Sequence, residues 1–252
     1  MNPLEHCIIP DWPAPARVQA LQTTRQGGVS LAPYDSFNLG SHVGDNPLAV
    51  ARNRILLNTR LPSEPVWLEQ VHGTLIANAD HASCLPQADA CIARQRGSVC
   101  AVMTADCLPV LLCDAQGSVV GAAHAGWKGL ASGVIEATVL AMGVAPQSLM
   151  AWLGPAIGRE YFEVGEEVRA AFVAVQPQAV SAFIPSRLAG QGQGSRDKYL
   201  ADIYALARLR LSALGIVQIY GGKHCTYRER EKFFSYRRDG ATGRMGTFIW
   251  LT

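Results

Sequence analysis

Three runs between residues 99 and 125 are almost unbroken in apolar side chains: 99–104 (VCAVMT), 110–113 (VLLC) and 119–123 (VVGAA). A strand with one wet face alternates polar and apolar residues, so runs without alternation imply strands covered on both faces. That requirement sets the fold. Further strand-like runs occur at 17–21, 66–68, 216–220, 233–237 and 247–251, bounded by the Gly, Pro and Asp residues that interrupt strands.

Helices are fewer. Asn46-Pro47 places a capping side chain before a proline suited to the first helical position, and opens a helix to about residue 60. Residues 129–142 read as a second helix, stopped by Gly143. In 199–214, Leu200, Ile203, Tyr204, Ala207, Leu211 and Leu214 share one face, and Gly215 ends the pattern. Residues 189–195 (AGQGQGS) read as a surface loop rather than a domain boundary. Strands and helices intermix without a regular β-α-β rhythm, so the expected class is α+β. Helices then cover a large mixed sheet or a sheet sandwich.

Composition narrows the function classes. A chain of 252 residues, 49% hydrophobic and 17% charged, can bury a sizeable core. Its net charge of +2 is too balanced for a general nucleic-acid binder. No apolar run approaches the ~18 residues of a membrane span. Residues 1–15 lack the basic head and apolar centre of a signal peptide, so a cytoplasmic protein is expected. Seven cysteines (Cys7, Cys84, Cys91, Cys100, Cys107, Cys113 and Cys225) form an odd set with no C-x-x-C pair. A disulfide framework and a zinc ribbon are both disfavoured.

Reactive residues interrupt apolar runs at three places: residues 69–73 (EQVHG), residues 104–109 (TADCLP) and residues 122–129 (AAHAGWKG). Two imidazoles and a thiolate, from His72, Cys107 and His124, make a ligand set suited to tetrahedral zinc with one open position. The long spacing requires three strand ends to converge. The same residues also admit a metal-free reading, with Cys107 as nucleophile, His124 or His72 as base and Asp106 as the orienting group. Arg25 beside Gly27 and Gly28 offers an anion seat or a simple turn. Lys128 at the start of a helix is a second, weaker phosphate candidate. Residues 223–244 carry seven basic and three acidic residues interleaved with aromatics. A solvated strand edge is the commoner meaning of such a strip, ahead of an RNA surface or an anionic-substrate rim.

Seven motifs in order then give a resemblance over nearly the whole chain: TTRQGGVS (23–30), SFNLGSHVGDNP (36–47), QVHG (70–73), TADCLPV (104–110), AHAGWKG (123–129), GPAIG with FEVG (154–165) and CTY, FFSYRRD and TGRMG (225–246). The chain resembles the bacterial family variously called laccase-domain polyphenol oxidases, peptidoglycan editing factors and purine nucleoside phosphorylases. The resemblance implies one domain over 1–252, an αββα layered sandwich, with one zinc on His72, Cys107 and His124. It implies phosphorolysis of adenosine, inosine, guanosine and methylthioadenosine, deamination of adenosine, and a homodimer. For phosphorolysis, Arg25 is the first phosphate candidate, Lys128 the second, and Asn38 a candidate for a substrate edge. A multicopper oxidase is at odds with the composition: the six histidines (His6, His42, His72, His81, His124 and His224) include no His-x-His pair. Copper in the single His₂Cys set would allow a secondary phenol oxidation. The alternatives are a metal-independent Cys–His hydrolase and a peptidoglycan-precursor editing factor.

Overall fold

A computed structural model describes residues 3–81, 85–186 and 198–252. In chain order its strands are β1 (Val18–Gln22), β2 (Ile76–Asn78), β3 (Ala90–Ala93), β4 (Val99–Thr104), β5 (Leu108–Asp114), β6 (Val120–Ala125), β7 (Leu149–Leu153), β8 (Glu163–Gly165), β9 (Phe183–Pro185), β10 (Lys198–Ala201), β11 (Gln218–Gly221) and β12 (Met245–Leu251). The helices are α1 (Pro47–Asn58), α2 (Trp127–Ser132), α3 (Val134–Met142), α4 (Glu166–Val175), α5 (Ile203–Ala213) and the single turn α6 (Tyr236–Asp239).

The unbroken apolar runs find cover on both faces. A six-stranded mixed sheet of order β11-β7-β5-β6-β3-β2 lies against a three-stranded antiparallel sheet of order β1-β12-β4. Every residue of β3, β4, β5, β6, β7 and β12 is buried. Between the sheets, Cys100, Val102, Ile249 and Leu251 meet Leu111, Cys113, Val120, Ala122 and Trp152. On the far side of the large sheet, Leu130, Ile135, Phe172, Leu206 and Leu211 from α2 to α5 pack on Val110, Leu112 and Ala123. On the far side of the small sheet, Leu57 of α1 joins Phe37, Leu39 and Phe248. The layers run α, β, β, α, as the resemblance implied. Strands β8, β10 and β9 form a separate small antiparallel sheet.

Several local expectations change. Asn46 caps α1 through a bond from Leu48 N, as read, but the helix stops at Asn58. The single helix expected over 129–142 is two, α2 and α3, because Gly133 takes φ 98° and turns the chain between them. The helix expected from residue 199 starts at Ile203, where Asp202 accepts a bond from Ala205 N. Tyr199, Leu200 and Ala201 are instead strand β10, because β8 and β9 offer ladder partners on both sides. The run 233–237 is no strand: Phe233 and Phe234 are buried in a loop, and Ser235 caps α6. The run 66–68 makes only an isolated bridge, Val66 to Cys100. The expected loop 189–195 and Cys84 lie outside the described residues. Among the described residues no helix is long and apolar enough to cross a membrane.

Gly133 carries a testable consequence. An added Cβ would meet nothing closer than Glu136 Oε2 at 3.5 Å, so the cost of Gly133→Ala is conformational rather than steric. Urea denaturation should find that variant less stable by about 1–2 kcal/mol, the cost of a side chain in the left-handed region.

Candidate functional site

Strand register brings the three ligands together at one end of the large sheet. β5 and β6 pair antiparallel with Leu108 opposite Ala125 and Pro109 opposite His124. Cys107, one residue before β5, therefore lies beside the end of β6, close to His124. β3 flanks β6 on its other side, with Ala90 opposite Ala123. This places Asp89 next to His124, whose backbone N–H donates to Asp89 O at 2.7 Å. His72 arrives on the loop before β2 with φ 61°, a conformation that costs a non-glycine residue free energy and is held by its surroundings.

What holds it is Asp89. Its carboxylate is fully buried and accepts N–H bonds from Val71 (3.1 Å), His72 (2.9 Å) and Gly73 (2.6 Å). It also pairs with His124 Nδ1 at 2.8 Å. Burial alone would raise the Asp89 carboxyl, but His124 and these N–H donors outweigh it and hold the group below its ordinary value. With Nδ1 donating to Asp89, Nε2 is the free nitrogen of His124, as a metal-ligating histidine requires.

The donor atoms of His72, Cys107 and His124 lie within 4.8 Å of one another. Cys107 Sγ is 3.7 Å from His72 Nε2, and the two imidazole rings meet edge to face with centroids 4.7 Å apart. Tetrahedral zinc, with Zn–S of about 2.3 Å and Zn–N of about 2.0–2.1 Å, sets donor separations of roughly 3.3–3.6 Å. The set fits. Gly126 leaves the space for it: a Cβ there would stand 2.7 Å from His72 Cδ2 and 3.0 Å from Cys107 Sγ. Without metal the cluster still separates charge. Burial pushes the Cys107 thiol up, but His124 and His72 overcome that and bring it down to about 6. Burial likewise lowers His124, while Cys107 and Asp89 raise it to about 9. Among the described residues this is the one group of three side chains able to hold a metal.

The ligands open onto a cavity of about 380 Å³, lined also by His42, Gln70, Met103, Thr104, Tyr236 and Arg244. A second, mostly apolar compartment of about 190 Å³ shares Ala105, Cys107 and Tyr236 with it, and adds Trp127, Ile157, Phe162 and Ile203 together with the charged Asp106 and Arg237. Cys107 stands on the partition between them.

The other sequence candidates sit differently. Asp106 adjoins Cys107 with φ 95°, and its carboxylate accepts from Thr226 Oγ1, Ser235 Oγ and Arg237 N. Its acceptors are engaged in tying the C-terminal segment to the Cys107 corner, so it is a positioning residue; the group that orients an imidazole is Asp89. Asn38 is fully buried, donating to Gly40 O and Asp45 and accepting from Gly40 N and Arg244 N. It shapes the loop that carries Arg244 and has no edge left for a substrate. Arg25 lines a different, open cleft of about 840 Å³ and is bound to Asp35 and to Arg230 O. Asp35 and Glu231 share that cleft, which makes it a poor phosphate seat. Lys128 is exposed over the Trp127 ring and lines neither compartment beside Cys107. The basic C-terminal strip is largely occupied: Arg237, Arg238 and Arg244 donate to backbone carbonyls. Sequence reading missed Asp89, and held Gly126, Thr104 and Arg244 only as members of longer motifs. Asp89 lies 35 residues from His124, and only the β3–β6 register relates them.

Two outcomes follow from this geometry. Gly126→Ala should weaken zinc binding at least tenfold by calorimetric titration, and Asp89→Asn by about 10- to 100-fold, the usual loss when the group behind a metal-bound histidine is changed. In chelator-stripped protein, the alkylation of Cys107, read as the reaction lost in Cys107→Ser, should have its midpoint near pH 6 rather than 9.0. The lowered Cys107 value gives stability that is full above pH 9.0 and lost as pH falls through about 6. The raised His124 value gives stability that is full below pH 6.5 and lost as pH rises through about 9. The thiolate–imidazolium pair therefore persists between those limits. An alkylation midpoint at the ordinary thiol value would contradict the pairing.

Comparison with known proteins gives the family. Residues 19–252 match the family described as multi-copper polyphenol oxidoreductase laccase. A purine nucleoside phosphorylase of Escherichia coli, YfiH, is 55% identical over 97% of this chain and 98% of its own length. A Pseudomonas aeruginosa protein of the same name is 53% identical over the same shares of the two chains. The crystal structure of a Neisseria meningitidis protein superposes with a TM-score of 0.90 at 53% identity, covering 98% of this chain and 99% of that one. YlmD from Geobacillus stearothermophilus superposes with a TM-score of 0.80 at 32% identity, covering 94% of this chain and 92% of its own. With the match covering nearly all of its length, the chain belongs to the laccase-like polyphenol oxidoreductase family.

Proposed function

We propose that the chain is a zinc-dependent purine nucleoside phosphorylase, acting on adenosine, inosine, guanosine and methylthioadenosine, that also deaminates adenosine. The observation that carries this reading is the pair of compartments meeting at Cys107: one polar and cationic with the metal ligands, one apolar and aromatic. The names of relatives more than 50% identical over the full length support the reaction class. The apolar compartment, with Trp127, Phe162 and Tyr236, suits a flat purine ring, and the polar one suits ribose and phosphate.

In phosphorolysis a phosphate oxygen bonds to C1′ as the C1′–N9 bond breaks. The electron pair leaves on the purine, which takes up a proton, and the other product is ribose 1-phosphate, or 5-methylthioribose 1-phosphate from methylthioadenosine. Deamination exchanges the C6 amine for water and releases ammonia. His72, Cys107 and His124 would hold the zinc, which supplies Lewis acidity and positive charge at the wall of the polar compartment. Asp89 keeps His124 in one tautomer and fixes the His72 loop, so the ligands need no rearrangement during reaction. Tyr236, common to both compartments, would stand beside the sugar–base junction of a nucleoside that spans them.

A second reading has its own support. Cys107, His124 and Asp89 are in nucleophile, base and orienter relation, and the thiol lies near 6, as in a metal-free cysteine hydrolase. One assay separates the two: adenosine with purified enzyme, with and without phosphate, resolving adenine from inosine. The phosphorylase reading expects phosphate-dependent adenine release, lost by at least 100-fold in His72→Ala and on zinc removal. Turnover that survives chelation but not thiol alkylation would favour the hydrolase. No product from folded, zinc-loaded protein would sink the proposal.

A further inference from the structure

Resting on the phosphorolytic reading, we propose that Arg244 and Thr104, with His42 at the rim, form the seat for inorganic phosphate. Three observations carry it. The first is charge. Arg244 lines the 380 Å³ cavity together with the metal ligands, and no carboxylate does; burial and the nearby Arg244 and Arg54 hold His42 below its ordinary value, so it offers a neutral hydrogen-bonding edge and Arg244 supplies the charge. An anion entering there meets no carboxylate, in contrast to the Arg25 cleft, where Asp35 and Glu231 stand in the wall.

The second is an unmet bond. Thr104 is 1% exposed, lines this cavity, and its Oγ1 has no hydrogen-bond partner. A buried hydroxyl without a partner is costly to the fold, and such groups in native proteins tend to serve a ligand. A phosphate oxygen would accept its proton.

The third is position. Thr104 is the register partner of Met245 in the β4–β12 ladder, so Arg244, the residue before Met245, reaches the cavity beside it. The Arg244 backbone N–H is fixed by Asn38 Oδ1, and one guanidinium nitrogen, Nη1, donates to the Thr242 and Gly243 carbonyls. The anchoring leaves Nε and Nη2 as donors for two phosphate oxygens, the paired geometry at which Arg surpasses Lys. Gln70 does not compete for the anion: its amide is engaged with the Met103 backbone in both directions.

Inorganic phosphate and the 5′-phosphate of a nucleotide share this chemistry, and the test separates them. Zinc-loaded Arg244→Gln, Thr104→Val and, as control, Lys128→Gln are titrated calorimetrically with inorganic phosphate and with adenosine 5′-monophosphate, beside the KM of each for phosphate and adenosine. Arg244→Gln should weaken inorganic phosphate at least tenfold, and Thr104→Val about three- to tenfold, with adenosine KM little changed and Lys128→Gln like wild type. Thr104→Val loses no internal bond, so its melting temperature should hold or rise, a result a merely structural threonine would not combine with weakened phosphate. Wild-type phosphate affinity in folded Thr104→Val and Arg244→Gln would overturn the seat. A loss confined to the nucleotide would overturn inorganic phosphate as its ligand. Because binding is read directly, the seat can stand or fall even where no phosphorolysis is found.

Discussion

A single buried carboxylate organises the site. Asp89 gathers three consecutive backbone N–H groups from the His72 loop and the Nδ1 proton of His124, which links a loop, the start of β3 and the end of β6 through one group. An unpaired carboxylate at zero exposure would be prohibitively costly, so its bonds are a condition of the fold as well as of the site. The left-handed backbone at His72 is tolerable because those bonds over-determine it.

Around that hub the sandwich supplies rigidity. The central strands are covered on both faces, so the ends of β3, β5 and β6 cannot shift without disturbing two cores at once. Cys107 and His124 thus stand on fixed scaffolding, while His72 is brought in from a loop. Absence of a side chain matters as much: Gly126 is the gap into which the His72 ring and the Cys107 sulfur fit.

The charge arrangement inside the cavity is also a product of packing. A thiolate and an imidazolium stabilise one another in the metal-free cluster, and the same low thiol value makes Cys107 ready to ligate. The same cavity has a cation in its wall, Arg244, and behind Cys107 the lining turns mostly apolar. Two cavities of different polarity thus adjoin at one residue.

The sequence by itself determined the layered class, the burial of the central strands and three candidate metal ligands. Those features are local: unbroken apolar runs, and reactive residues set beside Gly and Pro at strand ends. The helix break at Gly133 and strand β10 were not legible, because helix and strand patterns coincide over a few apolar residues and only ladder partners or a left-handed turn decide between them. Tertiary structure alone decided the second ring of the site. Asp89 meets His124 through the β3–β6 register, and the β4–β12 register, which pairs Thr104 with Met245, brings Arg244 and Thr104 to one cavity. It also removed Arg25, Asn38 and Lys128 from the cavity, since a cation or amide beside glycine reads the same whether it faces a substrate, a neighbouring carbonyl or open solvent. Pairing across more than a hundred residues leaves no trace in local spacing, because strand register is fixed by the packing of whole faces.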